Sequence, residues 1–319
     1  MKTTFKKIAI AAAVTAATLA PLAANASAVG MADLAIYNLF LINAATLTPI
    51  TTGLLIESTS NTGTANSDYN GVAGSGTFLS NITAPGDVNV TYRLAGAGAA
   101  AISAAYGGNL ENNTSSHIST PIANYALGDM FISGNAIGAG GTQGLTRANA
   151  AATGPTNSGG ANATIQNSAY VSTTFTAVDT ITAFFQLDYD IFVKTLVALA
   201  PGERAAATAS TNWSLSISDN GDANGNGANQ DFFSWSPSEL RRNFSTFNDA
   251  VNSQHEYTSG GPATIYSSQG VLTAGHTYSL TIAQLSNASV RDVPEPGSMA
   301  LLGLGLVGLA AARRRRSAK

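Results

Sequence analysis

Trp213, Leu215 and Ile217 alternate with Ser214, Ser216 and Ser218, and this two-residue period constrains the fold more than any other feature of the chain. Successive side chains of an extended strand point to opposite faces. The pattern therefore lays apolar groups on one side and hydroxyls on the other, as in a half-buried strand. Tyr278, Leu280 and Ile282 repeat it against Thr277, Ser279 and Thr281. Val88, Val90, Tyr92 and Leu94 show the same phase, as do Val171, Thr173, Phe175 and Ala177. Residues 35–42 and 183–189 are more continuously apolar, which suits central strands. Gly, Asn, Ser and Thr fill the intervals. The expected fold class is all-β, an antiparallel β-sandwich of jelly-roll type.

Three stretches resist the strand reading. Residues 96–105 form an Ala and Gly run open to either loop or short helix, and 134–160 is rich in Gly, Ala, Asn and Thr with few large apolar residues. The second is expected to be a flexible loop inside one domain, since it lacks the Pro and charge content of a stiff spacer. Ser236-Pro237-Ser238-Glu239 places a capping serine, a first-turn proline and a glutamate ahead of Leu240, Phe244, Phe247 and Val251. That spacing predicts a short helix near 237–251, although Asn243, Ser245, Thr246 and Asn248 are poor helix formers.

The chain has no cysteine, so disulfides, thiolate metal sites and cysteine nucleophiles are excluded and stability must come from a core of adequate size. Charge is divided unevenly. Lys2, Lys6 and Lys7 lie at one end and Arg313, Arg314, Arg315, Arg316 and Lys319 at the other. Residues 29–292 between them carry 17 acidic groups against 7 basic ones, a formal charge of −10. Such a surface repels nucleic-acid phosphates.

Candidate chemistry in the middle is sparse. From Asn220, oxygen-bearing side chains fall at Asn220, Asp222 and Asn224, glycine at the sixth position and Asp231 at the twelfth, the spacing of a calcium loop. Two carboxylates in that set predict weak calcium binding, and a plain Asn and Gly turn between two strands is the favoured alternative. Asp188 and Asp190 share one strand face, where a polar edge is more natural than a glycosidase pair. His117, His255 and His276 have no partner at metal or triad spacing, and no nucleophile elbow or phosphate loop occurs. Among the aromatics, Trp213 and Tyr278 share the inward phase of their strands, leaving Trp235 and Tyr257 as the better candidates for a sugar-stacking surface.

Both termini have the composition of addresses. The three lysines, an uncharged apolar run from 8 to 19 and the small residues Ala26-Ser27-Ala28 make residues 1–28 a secretory signal peptide, with Ala24-Asn25-Ala26 a second possible cut. Residues 293–319 hold Pro294-Glu295-Pro296, an apolar stretch of 14 residues from 299 to 312, and the cluster Arg313 to Arg316. The prolines hold the chain extended, as a processing enzyme requires. A helix of that apolar length spans about 21 Å, short for a bilayer core of about 30 Å, and the arginines resist translocation.

This tail resembles the PEP-CTERM sorting signal of Gram-negative bacteria, which a membrane-embedded exosortase reads. The resemblance implies passage through Sec-type export machinery and signal peptidase, transient inner-membrane insertion of a C-terminal hydrophobic helix, and cleavage near Pro294, Glu295 and Pro296. The middle is more loosely similar to exosortase-dependent surface proteins, through Phe184-Phe185-Gln186-Leu187-Asp188-Tyr189-Asp190, Trp213-Ser214-Leu215-Ser216-Ile217, Phe232-Phe233-Ser234-Trp235 and residues 272–282. The expectation is a non-catalytic surface or matrix protein without a cofactor, associated with exopolysaccharide or biofilm. A carbohydrate-binding module and, less favoured, a hydrolase are the alternatives.

Overall fold

The computed structural model describes residues 27–73, 82–84, 87–113, 123–137, 140–153, 158–167, 174–199, 204–247, 253–293 and Gly305. In chain order the first strands are β1 (Ser27–Asn43), β2 (Thr48–Pro49), β3 (Leu54–Ser58), β4 (Asn61–Tyr69), β5 (Val72–Ala73), β6 (Ile82–Ala84) and β7 (Val88–Ala95). Helix α1 (Ala99–Ala105) precedes β8 (Tyr125–Asn135), β9 (Gly141–Thr153), β10 (Ser158–Asn167), β11 (Thr174–Ala177), β12 (Ile181–Ala198) and β13 (Arg204–Asp219). There follow β14 (Asn229–Trp235), a 3-10 turn (Ser238–Leu240), β15 (Arg242–Phe247), β16 (Ser253–Thr258), β17 (Ala263–Tyr266), β18 (Gly270–Leu272) and β19 (Thr277–Val293).

These strands form two antiparallel sheets. The first has the order β16-β12-β1-β9-β8-β7, with β17 and β18 also lying along β12 and β2 on β1. The second runs β14-β13-β19-β10-β4-β5, with β15 on β13, β6 on β4, and β11 between β19 and β3. Apolar side chains from both sheets meet in one core, in which Leu34, Leu187, Trp213 and Leu280 are buried beside Phe175 and Tyr278. Strand β13 alternates between buried and solvent-facing residues along its whole length, as the Trp213 pattern predicts. The continuously apolar stretches also take central places, in the adjacent strands β1 and β12.

Several expectations are corrected. The segment 134–160 is not a flexible loop over its described residues, because 141–153 is β9, buried along nearly its whole length and paired with both β1 and β8. Ala148, Ala150 and Ala152, with Ala28 beside them in the same sheet, meet Ala205, Ala207 and Ala288 across the sandwich. Small residues occur there because the sheets approach closely. A Cβ added at Gly30 would lie 2.5 Å from the Thr208 carbonyl oxygen of the opposite sheet. A large apolar side chain would force such layers apart.

The helix near 237–251 reduces to the single 3-10 turn. The Ser236 hydroxyl donates to the Trp213 carbonyl (3.2 Å) instead of capping, and 242–247 continues as β15 against Ala206 to Thr211 of β13. Asn243, Ser245 and Thr246 gain ladder bonds there that a helix of poor formers would not repay. In β7 a register shift between Val90 and Arg93 reverses the phase. Val88 and Val90 pack inward on Met130, whereas Leu94 joins Ile102, Tyr106 and Leu110 in a second small core on the outer face of the first sheet. Residues 96–105 resolve in favour of helix over Ala99–Ala105.

Candidate functional site

The calcium-spaced segment is a loop between β13 and β14, closed at its base by the Asp219–Asn229 pair. Asp222 folds back on its own turn. Its Oδ1 accepts from the Asn224 and Asn226 amides (2.8 and 2.9 Å) and its Oδ2 from the Asn226 side chain (3.1 Å). Those N–H groups, the Asn226 amide foremost, hold its carboxyl below the usual carboxylate range. Asn220 donates to the Ser279 hydroxyl (2.8 Å), Asn224 is exposed, and Asp231 stands exposed on β14 beyond the loop base. Among the described residues no group of three or more His, Cys, Asp or Glu converges at metal-holding distance.

A contact that sequence reasoning missed lies beside this loop. His276 Nδ1 is 3.0 and 3.1 Å from the two Asp219 oxygens, because the β13–β19 register sets Asp219 opposite Tyr278, two residues past His276. Asp219 also accepts from the Gly221 amide (2.8 Å), and Gly227, in a left-handed conformation, lies so close that a Cβ there would sit 2.8 Å from the imidazole Cε1. Tyr278 completes the corner by accepting from the Thr273 amide (2.7 Å). The pair thus ties the 273–277 turn to the 219–227 loop. Only the cross-strand register brings these residues together, and sequence spacing carries no trace of it.

Asp188 and Asp190 do share the outer face of β12, and both are bonded there. Asp188 accepts from Asn38 on β1 (3.1 Å) and Thr264 on β17 (2.7 Å), while Asp190 accepts from the Ser259 hydroxyl. Each carboxylate therefore laces neighbouring segments to β12. Trp235 and Tyr257, the expected surface aromatics, are both engaged. Trp235 meets Trp213 edge-on at 5.3 Å, and the Arg242 guanidinium lies 3.7 Å above the Tyr257 ring. Among the described residues the exposed large aromatics are instead Tyr266, at 60%, and Phe247, at 52%.

Register explains the surroundings of Tyr266. Gln186 stands directly opposite it on β12, Phe184 lies two residues along on the same face, and Ile42 of β1 pairs with Phe184. Phe184 and Tyr266 meet edge to face at 6.0 Å. Leu47, 72% exposed and in a left-handed backbone conformation, overhangs from the turn after β1. Together with Gln269 these groups line an open cleft of about 480 Å³.

Beneath α1 and residues 106–113, three adjacent strands align Asp33, Arg147 and Asp129 in one buried row. The Arg147 guanidinium lies 4.4 Å over the Tyr106 ring and donates to the Asn113 carbonyl (2.9 Å). Asn149 links Arg147 Nε (3.0 Å) to Asp33 (2.9 Å). Asp129 accepts the Asn112 amide through Oδ2 (2.7 Å), while its Oδ1 has no partner among the described residues. Burial, aided by Glu111, pushes its pKa up to about 7.

At the two ends, Ser27 and Ala28 stand inside β1, with Ala28 buried and paired to both Val197 and Ala152. Ala26, Pro294, Glu295, Pro296, Arg313, Arg314, Arg315 and Arg316 lie outside the described residues, as do His117 and all of the 299–312 apolar segment except Gly305. Among the described residues no helix is long and apolar enough to cross a membrane.

What the middle of the chain defines is a class, a two-sheet antiparallel β protein. Its route is specified by the tail, because residues 292–316 match the PEP-CTERM protein-sorting motif. That motif implies export, exosortase-dependent processing and sorting to the surface. The chain matches no curated protein and no solved structure.

Proposed function

We propose that the chain is a non-catalytic surface or extracellular-matrix protein, cleaved by an exosortase at Pro294-Glu295-Pro296 and associated with exopolysaccharide in a biofilm. The observation that carries the reading is the coincidence of two boundaries: β19 ends at Val293 and the sorting motif occupies 292–316. Cutting within the prolines leaves every described strand whole, while the 299–312 segment and Arg313 to Arg316 hold the precursor transiently in the inner membrane. The non-catalytic role is supported by the engagement of Asp188, Asp190 and Asp219 in strand and turn contacts.

The body is read as a β-sandwich of jelly-roll type, in keeping with a chain that crosses between sheets at β2–β3, β6–β7, β9–β10, β11–β12, β12–β13, β15–β16 and β18–β19. Of the two signal-peptide cuts, the one after Ala26 fits the fold. Cleavage after Ala28 would strip two residues paired on both sides of β1. The measurement is intact mass of the protein recovered from the cell surface. The expected species starts at Ser27 and lacks everything beyond the Pro294 element; a species still ending at Lys319 in a host with the matching exosortase overturns the sorting assignment.

A further inference from the structure

We infer that the cleft around Tyr266 binds a neutral polysaccharide chain, an inference that rests on the proposed surface role and names the ligand contact within it. Tyr266 is propped edge-on against Phe184 and 60% exposed, so its ring offers an open face at the surface. The C–H bonds on one side of a pyranose ring are polarised toward positive and pack against the negative face of such a ring. Gln186 stands across the strand pair from Tyr266, and Gln269 joins it in the lining. A carboxamide carries both donors and an acceptor, which suits vicinal hydroxyls that act in both senses.

Leu47 supplies an apolar overhang that is 72% exposed, and Ile42 supplies the floor. Leu47 and Tyr266, two large side chains left in water at one cleft beside uncharged hydrogen-bonding groups, have the composition of a ligand site. Charge selects the class of saccharide. Among the described residues no ionic group lines the cleft, Asp188 stands two residues from Gln186 on the same face, and residues 29–292 carry a formal charge of −10. An acidic polymer is repelled by that surface and a neutral one is not.

The processed protein recovered from cells is to be run in affinity electrophoresis and calorimetry against dextran, laminarin and cello-oligosaccharides, with alginate as the acidic comparator. The expected result is saturable binding to at least one neutral polymer and none to alginate. Tyr266→Ala should weaken it at least tenfold with an unchanged melting temperature, and Gln186→Ala several-fold. Phe247→Ala, which removes an exposed aromatic on β15 of the other sheet, should leave it unchanged. Absence of binding to every neutral polymer, or equal binding by Tyr266→Ala and the unaltered protein, overturns the site. Surface fractionation of the same cells keeps the two readings apart, because a protein sorted and cleaved but inert toward saccharide loses the cleft assignment alone.

Discussion

Asp129 illustrates how a single side chain escapes a linear reading. In the sequence it follows Leu127 and Gly128 with nothing to mark it, yet it ends a buried row with Arg147 and Asp33 drawn from three strands. Its carboxyl, raised to about 7 by burial and by Glu111, binds a proton more tightly in the folded chain than in the unfolded one, where it titrates near 3.8. Stability therefore falls as pH rises from about 4 to about 7 through this group, and is level above. Asp129→Asn preserves an acceptor for the Asn112 amide and removes the cost of ionisation. It should flatten that slope in pH-resolved thermal unfolding and raise stability at pH 8 by roughly 2 kcal/mol. His276 and Asp219 teach the same lesson, since two residues 57 apart in the chain become partners only through the β13–β19 register.

At the scale of elements, period-two alternation was legible wherever one face was buried and the other wet, as in β13 and β19. It failed in β9, where Arg147, Asn149 and Ala151 are covered on one face and Ala148, Ala150 and Ala152 on the other. A strand buried twice over shows no alternation, and one filled with alanine resembles a loop in composition. The price of that close packing is intolerance of volume. Gly30→Ala should destabilise the fold by about 1–3 kcal/mol in urea titration, because the added Cβ meets the backbone oxygens of Thr208 and Ser289 (2.5 and 3.2 Å). The predicted helix after Ser236 misled for a different reason: apolar residues three and four apart are also compatible with a turn followed by a strand, and β13 offered a free edge to pair with.

For the whole molecule, the decisive geometry is the far end of the last described ladder. Strand β19 pairs with β13 as far as the Val293–Arg204 position, so the described body draws on residues through Val293. A chain ending at Val293 should melt within about 1 °C of the longer form, whereas one ending at Ser286 loses the β13 ladder from Asn287 to Val293 and the β10 ladder from Asn287 to Arg291 and should unfold at a markedly lower temperature. Calorimetry on both forms tests this.

The sequence by itself determined the sorting tail and the strand class. A sorting tail works through local order, prolines before an apolar plug before arginines, and an alternating strand through its own period, so neither needs distant partners to be recognised. Tertiary structure alone decided which face each outward side chain shares with residues from other strands. That choice left Tyr266 open while Trp235 and Tyr257 were occupied, joined His276 to Asp219, and turned an alanine-rich stretch into a central strand. Register and sheet separation are long-range quantities, set by the packing of the whole core, and no window of neighbouring residues contains them.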